Sequence, residues 1–497
     1  MTLPVDPTVT DLGALMARGE SSAEAIARHY LERIERFDRS GPCLRSVLEL
    51  NPDAVASARE LDEERLRSGP RGPLHGVPVL LKANIDTGDR MTTTAGSLAL
   101  AGHRARYDAF TVARLRRAGA VILGKTNLSE WANFRSTRSA SGWSSEGGQV
   151  RNPHALDRSP CGSSSGSGVA VAADLAPAAI GTETDGSITC PAAVNGVVGF
   201  KPTVGLVSRA GIIPVAASQD TAGPLTKTVE DAALLMDALV GVDPDDAATS
   251  VVRERGPWDF RAGLARGVRG ARLGVARSAF AVHERAAQVG EAALETLREL
   301  GAEIVEGVDL SSVDAVRQHE LTVLLYEVKA GIDAYLAEHP DAPVRSLAEV
   351  VAFNRDHAER VMPYFRQELF EQALDGGGVD EDAYRDARTR CLRAARDEGI
   401  DRALRDLRLD AIVAPSTGPA WVIDPIAGDR GLGGVWPAAA IAGYPHVTVP
   451  AGSAFGLPIG WSFFGGAFTD ANLLAYAHAF EQATRARFAP SFAERVV

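Results

Sequence analysis

One lysine lies where its side chain could act as a base. The sequence has only five lysines, and Lys82 directly follows the apolar stretch 77–81. Arginine stays protonated in proteins, whereas burial can lower the pKa of a lysine by several units. A lysine made neutral in this way can take a proton from a serine hydroxyl. Lys82 is therefore a candidate general base, and a lysine that extends its ammonium group from a strand end into solvent is the alternative.

A first segment rich in glycine and serine could bind an anion. Residues 160–168 read Pro-Cys-Gly-Ser-Ser-Ser-Gly-Ser-Gly and run directly into the apolar stretch 169–173, which predicts a helix. A loop of small residues at a helix start presents free backbone N–H groups. The helix that follows argues against a flexible linker, and the absence of a Gly-Lys-Ser/Thr ending argues against a nucleotide P-loop.

A second segment of small residues could present a nucleophile. Residues 181–191 read Gly-Thr-Glu-Thr-Asp-Gly-Ser-Ile-Thr-Cys-Pro, with Ser187 in a predicted turn. A tight turn can direct several backbone N–H groups at one point, as an oxyanion hole requires, although an ordinary turn is the alternative. None of the ten histidines lies in a G-x-S-x-G motif. A Ser-Lys arrangement, a known variant of the Ser-His-Asp triad, therefore fits these segments better.

Composition and charge exclude several classes of protein. The chain has 497 residues, a net charge of −12 and a pI near 5.4, which disfavours nucleic acid or an anionic membrane as the main partner. No apolar stretch approaches the roughly 18 residues of a membrane span, and residues 1–20 do not read as a signal peptide. The cysteines at 43, 161, 190 and 391 form no C-x-x-C pair, which predicts four free thiols in a reducing compartment, the cytoplasm.

The pattern along the chain predicts an α/β fold. Asp108 is a predicted cap of a helix that ends before Gly119, and a short apolar strand follows at 120–123. The same order recurs as a helix over 291–300 and a strand over 302–308. Such alternation favours a buried sheet that is mainly parallel or mixed.

A long segment departs from this alternation. Residues 311–407 are charged and helical in pattern, with a break at the Asp-Gly-Gly-Gly sequence 375–378. Strand-like patterns return at 411–415 and 447–450. We interpret the segment as a helical insertion within one domain.

Taken together, these segments resemble the amidase signature family. Lys82 matches the lysine of the family's G-x-P-x-x-x-K motif, Ser163 matches the bridging serine that a cis peptide holds in the family, and Ser187 matches the nucleophile. Further matching segments are Lys201-Pro202-Thr203, Gly211-Ile212-Ile213-Pro214, Gly223-Pro224, Ala442-Gly443-Tyr444-Pro445 and Gly456-Leu457-Pro458-Ile459-Gly460. The resemblance covers most of the chain and is weakest in the helical insertion.

Two motifs depart from the usual family pattern. The turn reads Asp185-Gly-Ser-Ile-Thr189 where Gly-Gly-Ser-Ile-Arg is usual, and Lys82-Ala-Asn84 stands where Lys-Asp-Asn is usual. The turn and the sequence Ser-Glu-Trp-Ala-Asn-Phe-Arg at 129–135 are similar to the peptide amidase branch. The departures leave the three expected catalytic residues intact.

The resemblance implies a fold and a mechanism. It implies one amidase-signature domain over 1–497, with a signature core at about 70–235, an insertion at about 311–407, and a large mixed twisted sheet covered on both faces by helices. Neutral Lys82 would take a proton from Ser163, which would take one from Ser187, and Ser187 would attack an amide carbonyl to form an acyl-enzyme. The backbone N–H groups expected to form the oxyanion hole are those of Thr184, Asp185, Gly186 and Ser187.

The resemblance also implies the type of ligand. The expected partner is a small-molecule or peptide amide substrate that releases ammonia, with no metal, organic cofactor, nucleic acid or membrane involved. Trp131, Asn133 and Phe134 are candidates for the substrate pocket, and a core role for the two aromatic residues is the alternative. Other hypotheses are a transamidation subunit that passes ammonia to a tRNA-linked acid, a hydrolase of other small amides or esters, and a non-catalytic phosphate-binding loop.

Overall fold

The computed structural model describes residues 3–496 and contains one large mixed sheet of eleven strands. The order of strands across this sheet is β1-β3-β2-β6-β8-β7-β12-β13-β11-β9-β10, and β4 and β5 form a separate pair. The strands are β1 Val47–Leu50, β2 Pro78–Lys82, β3 Val121–Thr126, β4 Trp143–Ser144, β5 Gly148–Gln149, β6 Ala178–Glu183, β7 Val198–Lys201, β8 Thr221–Thr226, β9 Arg272–Val275, β10 Glu303–Val305, β11 Ala411–Pro415, β12 His446–Ala454 and β13 Leu457–Phe464. The predicted mixed α/β sheet is confirmed.

Helices connect and cover the strands. They are α1 Val9–Ala17, α2 Ala23–Arg33, α3 Ala54–Ser68, α4 Phe110–Arg117, α5 Ser165–Ala172, α6 Thr189–Asn195, α7 Val229–Leu239, α8 Ser250–Arg255, α9 Phe260–Gly263, α10 Glu284–Glu299, α11 Ser311–Asp314, α12 Arg317–Glu338, α13 Leu347–Asp356, α14 Ala358–Val361, α15 Glu368–Asp375, α16 Asp382–Ala395, α17 Asp401–Leu407, α18 Trp436–Ala442 and α19 Asp470–Thr484. None of the described helices is long and apolar enough to span a membrane.

The centre of the sheet determines where Lys82 lies. Every residue of β2, β3 and β6 is buried, which explains the apolar runs with which they begin, because strands covered on both faces need no polar side. Strand β2 runs parallel to β6, with Leu81 paired to Ile180. Parallel strands end at the same edge of a sheet, so Lys82 comes to lie beside Thr182 at the end of β6.

Several predicted element boundaries are wrong. Helix α4 begins at Phe110 after Ala109, and Asp108 does not cap it. The carboxylate of Asp108 instead accepts a hydrogen bond from the backbone N–H of Gly88 and forms an ion pair with Arg116 at 3.0 Å. The later helix begins at Glu284 rather than at 291, and the strand after it is limited to Glu303–Val305.

The segment 311–407 contains helices α11 to α17 and none of the described strands. Its interruption falls at the predicted glycines, between the end of α15 and the start of α16. The longest helix, α12, packs against α15 and α16. The same helix also reaches the centre of the molecule, where its first turn meets the loop after β6.

The prediction of four free thiols is wrong for two of the cysteines. Cys161 and Cys190 form a disulfide across a sequence separation of 29, whereas Cys43 and Cys391 are free. The separation gives no recognisable motif, and the two sulfurs meet only because the fold places the start of α6 against the loop before α5. The disulfide therefore links the segments that contain Ser163 and Ser187.

Candidate active site

Lys82 is fully buried and bonded only to uncharged groups. Its Nζ donates to Ser163 Oγ at 2.7 Å, to Thr182 Oγ1 at 2.8 Å and to the carbonyl oxygen of Thr182 at 3.2 Å. Burial lowers the pKa of Lys82 to about 7, although the negative charges of Asp220 and Glu183 act to raise it. A substantial fraction of this lysine is therefore neutral at neutral pH, as a general base requires.

Ser163 is fixed by the loop that precedes α5. It is fully buried, and the peptide bond between Gly162 and Ser163 is cis. Its carbonyl oxygen accepts a hydrogen bond from the N–H of Ser129 at 3.1 Å. A Cβ added at Gly166 would lie 2.2 Å from the carbonyl oxygen of Ser46, so only glycine allows the loop to pack this closely.

Two backbone donors of this loop are occupied by other parts of the chain. The N–H of Ser164 donates to the carbonyl oxygen of Ser187 at 3.1 Å. The N–H of Gly166 donates to the carbonyl oxygen of Asn127 at 3.0 Å. Donors used in this way cannot form a cradle for a ligand phosphate. The loop instead holds the backbone next to Ser163 against the backbone of Ser187.

Ser187 lies in the turn between β6 and α6. Its side chain makes no hydrogen bond with any described residue, and 8% of its surface remains exposed, so the hydroxyl is accessible to a substrate. Gly186, which precedes it, has φ of 82°, and a Cβ there would lie 2.6 Å from the indole of Trp436. Both constraints require glycine at this position.

The turn before Ser187 presents unused backbone donors. Within residues 3–496, the N–H groups of Thr184, Asp185, Gly186 and Ser187 donate to no protein acceptor. The buried carboxylate of Glu183 holds the other end of the turn, because its Oε2 accepts the N–H of Ile188 at 2.7 Å and that of Thr189 at 2.9 Å. The turn is thus anchored at its C-terminal end and keeps four donors available to a substrate.

The helical insertion contacts this turn directly. Arg317 in the first turn of α12 donates to Asp185 Oδ2 at 3.0 Å. Gln219 bridges the two elements, since its Nε2 lies 3.2 Å from the carbonyl oxygen of Thr184 and 3.1 Å from Glu320 Oε1. The aspartate that replaces the usual glycine in the turn therefore has a partner on the insertion.

The three candidates for the substrate pocket lie in different environments. Trp131 is 3% exposed and packs edge-on against Phe370 in a core cluster, with ring centroids 5.7 Å apart. Asn133 and Phe134 are half-buried. Trp131, Ala132 and Asn133 have φ values of 52°, 55° and 69°, a left-handed turn that costs about 1–2 kcal/mol for each such residue.

A cavity of about 900 Å³ lies beside the residues that hold Lys82, although neither Lys82 nor Ser187 lines it. Asn84, Thr182 and Thr184 line one end of it, and Ala132 of the left-handed turn lines another part of the wall. The side chain of Asn84 donates to Thr182 Oγ1 at 3.1 Å, so the cavity borders the residues that hold Lys82.

Several residues of the site were missed by sequence reasoning. Thr182, Asn84 and Glu183 all lie inside motifs that the sequence singled out, but their hydrogen bonds follow from the pairing of β2 with β6, which the sequence does not specify. The carboxylate of Asp220 accepts a hydrogen bond from Thr184 Oγ1 at 2.5 Å, and no sequence pattern indicates that Asp220 belongs to the site. No sequence pattern indicates Arg317 either, because its partner Asp185 is 132 residues away in the chain.

Comparisons with known proteins agree with this architecture. The sequence model of the Amidase family matches residues 25–474. The crystal structure of the peptide amidase PAM in complex with the competitive inhibitor chymostatin is 51% identical, with a TM-score of 0.95 over 98% of this chain and 99% of that chain. A probable amidase of Arabidopsis thaliana is 40% identical over 98% of this chain and 92% of its own length. A glutamyl-tRNA(Gln) amidotransferase subunit of Halorhodospira halophila is 37% identical over 96% of this chain and 97% of its own length.

The chain therefore belongs to the amidase signature family. It is an amide-hydrolysing enzyme, and the expected similarity to the peptide amidase branch is confirmed by the structural match.

Proposed function

We propose that this enzyme hydrolyses primary carboxamides, including peptide C-terminal amides, through an acyl-enzyme formed on Ser187. The observation that supports this most directly is the 2.7 Å hydrogen bond between Lys82 Nζ and Ser163 Oγ in a fully buried environment. Burial lowers the pKa of Lys82 to about 7, so a neutral amine is present at working pH. The loop contact between Ser164 and Ser187 keeps the two serine segments together.

The proposed reaction moves protons along this row of side chains. Neutral Lys82 accepts the proton of Ser163, and Ser163 accepts the proton of Ser187 as Ser187 Oγ bonds to the amide carbon. The carbonyl oxygen becomes an oxyanion within reach of the four free N–H groups before α6. The proton returns through Ser163 to the nitrogen as the carbon–nitrogen bond breaks and ammonia leaves. Water then hydrolyses the acyl-enzyme by the same proton path in reverse.

The oxyanion donors carry a large part of the proposed rate enhancement. Removing one donor from such a hole costs about 3–4 kcal/mol in the transition state. The structure supports this role for the turn because Glu183 fixes it at one end and Arg317 contacts it from the insertion.

The preference for a peptide amide rests on similarity. The structural relative at 51% identity is a peptide amidase, and its complex contains chymostatin as a competitive inhibitor. We propose that the pocket includes the segment Trp131 to Phe134, with Trp131 supporting it from the core. Chymostatin should then compete with a peptide amide for this enzyme.

A second candidate function is that of a subunit in a tRNA-dependent amidotransferase. It is favoured by the 37% identity to such a protein from Halorhodospira halophila over nearly the whole of both chains. In that role the chain would pass ammonia to a tRNA-linked acid with the help of partner chains. Ammonium release that requires partner chains and ATP would support this alternative.

The experiment is ammonium release from a panel of simple amides and peptide amides by the purified chain alone. We expect release from peptide amides, competition by chymostatin, and loss of release in Ser187→Ala. Ser453→Ala, which removes an exposed hydroxyl on β12, is the matched control and should behave as wild type. Release that persists in Ser187→Ala would overturn the proposal, and release from simple amides alone would overturn its substrate preference.

A cytoplasmic location of the enzyme stays a prediction from the sequence. The Cys161–Cys190 disulfide weighs against it, because such bonds are rare in reducing compartments.

A further inference from the structure

Two histidines and one aspartate form a cluster outside the proposed proton path. One ring nitrogen of His103, one of His339 and a carboxylate oxygen of Asp86 all lie within 4.8 Å of one another. Asp86 and His103 are buried, and His339 is half-buried. Asp86 and His339 line the cavity of about 900 Å³, so a small ion can reach the cluster.

The hydrogen bonds of His339 leave a lone pair facing a carboxylate. Its Nδ1 lies 2.8 Å from the carbonyl oxygen of Tyr335, and only a ring N–H can donate there. Its Nε2 lies 3.2 Å from Asp86 Oδ2. Two acceptors at this distance repel each other unless a cation, either a proton or a metal ion, lies between them. A ring N–H bonded to a backbone carbonyl is the arrangement that usually orients a metal-binding histidine.

His103 has a further nitrogen to offer. The hydroxyl of Tyr335 donates to Asp86 Oδ1 at 2.8 Å, so the 3.2 Å contact between this hydroxyl and His103 Nε2 requires His103 to donate. His103 Nδ1 is then left without a hydrogen, and it is buried with no partner among residues 3–496. A buried acceptor without a partner is costly, and a ligand would remove that cost.

We propose that Asp86, His103 and His339 bind a divalent cation, with Zn²⁺ as the preferred ion. Two imidazoles and one carboxylate form a ligand set that zinc favours, with a fourth position left open. Ligand atoms around tetrahedral zinc lie about 3.3 Å apart when each bond is about 2.0 Å. The Asp86–His339 pair already has this spacing.

The charge of the surroundings favours a cation. Seven carboxylates and one guanidinium line the cavity. Lys125 is a buried lysine nearby, but it donates to the carbonyl oxygen of Ile85 at 2.6 Å and to Thr93 rather than to Asp86. The carboxylates therefore raise the local concentration of cations at the cluster.

The site would join two parts of the molecule. Asp86 and His103 belong to the segment that follows β2, the strand that ends at Lys82, and His339 directly follows α12 of the insertion. An ion held by both parts stabilises the folded enzyme and fixes the insertion against that segment. The ion has no role in the proposed proton path, which uses none of these three residues.

The chain contains a matched histidine for comparison. His357 follows α13, its Nδ1 lies 2.9 Å from the carbonyl oxygen of Phe353, and its ring stacks on Phe353 with centroids 4.2 Å apart. His339 stacks on Tyr335 at the same 4.2 Å. Within the described part of the chain, no carboxylate pairs with His357, so it has the backbone anchor of His339 without the proposed ligand partner.

The experiment is calorimetric titration of the untagged enzyme with ZnCl₂, with Co²⁺ as a spectroscopic probe. We expect one saturable site per chain in wild type and in His357→Asn, and at least tenfold weaker binding in His339→Asn and Asp86→Asn. The melting temperature should rise with Zn²⁺ in the first two proteins and not in the others. Absence of saturable binding to wild type, or equal affinity of His339→Asn and His357→Asn, would overturn the proposal. His339→Asn decides the matter if Asp86→Asn does not fold.

Discussion

At the scale of single residues, the surroundings of Lys82 explain its proposed role. Its amine donates to two hydroxyls and one carbonyl oxygen, and among the described residues it has no carboxylate in contact. A carboxylate partner would keep the amine charged, whereas burial without one favours the neutral form. The sequence could indicate Lys82 because lysines are rare here, but its hydrogen-bond partners depend on the pairing of strands far apart in the chain.

Replacement of Lys82 should remove the proposed base and the pH dependence that it causes. Lys82 must lose a proton before it can act, so kcat/KM of wild type should fall as the pH drops below about 7. Lys82→Ala should lower kcat by about 10²–10⁴-fold, the usual contribution of general base catalysis, and should lose this acidic limb. Initial rates of ammonium release across pH measure both effects.

The control for this prediction is Lys329→Ala, which removes a partly exposed lysine paired with Asp333 on the insertion. It should keep the rate and the pH profile of wild type. A Lys82→Ala enzyme with the wild-type profile would show that another group is the base.

At the scale of elements, the helical insertion supports the turn that carries Ser187. Sequence pattern predicts the insertion as helical because its apolar residues recur at helical spacing, and it predicts the glycine break between α15 and α16. It does not predict that Arg317 meets Asp185, because contacts between distant elements leave no local signal. The unusual Asp185 of the turn is explained only by this partner.

Breaking the Arg317–Asp185 pair should slow the chemical step. Asp185→Asn and Arg317→Gln should each lower kcat by about tenfold with little change in KM, because the proposed oxyanion donors would act on the transition state. The double variant should be no slower than Arg317→Gln, since Asp185 contributes through its pair with Arg317. The melting temperature of Asp185→Asn should change little, because a partly exposed ion pair contributes about 0–1 kcal/mol to stability, whereas Arg317→Gln also unpairs the buried Glu320 and should lower it further.

Arg355→Gln is the matched control for this pair. It breaks an exposed ion pair with Glu371 at 2.9 Å on the same insertion, away from the turn. Equal losses of kcat in Arg355→Gln and Arg317→Gln, or additive losses in the double variant, would show that the insertion does not position the turn.

At the scale of the whole molecule, one covalent link joins the two serine segments. The Cys161–Cys190 disulfide was missed from sequence because its cysteines share no motif, and the expected free thiols were the default for such spacing. The order of strands in the sheet could not be predicted from the sequence either, because apolar stretches identify strands but do not show which strands pair. The α/β class and the strands β2 and β3 were predictable, because these strands begin with continuous apolar runs, whereas β6 was not predicted.

Loss of the disulfide should lower both stability and activity. A cross-link that closes a loop of this length, with a sequence separation of 29, contributes about 3–4 kcal/mol in the chain-entropy account. Cys161→Ser should therefore lower the free energy of unfolding by about this amount and reduce kcat, because Ser163 and Ser187 lose their shared anchor. Denaturant unfolding and ammonium release measure these effects.

Cys43→Ser, which changes a free thiol, is the control and should match wild type. A Cys161→Ser enzyme with wild-type stability would show that the bond contributes little in solution.

The central claim is that Ser187 forms a covalent acyl-enzyme with an amide substrate. The most direct test is intact-protein mass spectrometry of the enzyme quenched during turnover of a peptide amide, followed by peptide mapping. The account predicts a mass increase equal to the acyl group, located on Ser187 in wild type and absent from Ser187→Ala. An adduct on another residue, or turnover of the same amide by Ser187→Ala, would contradict it.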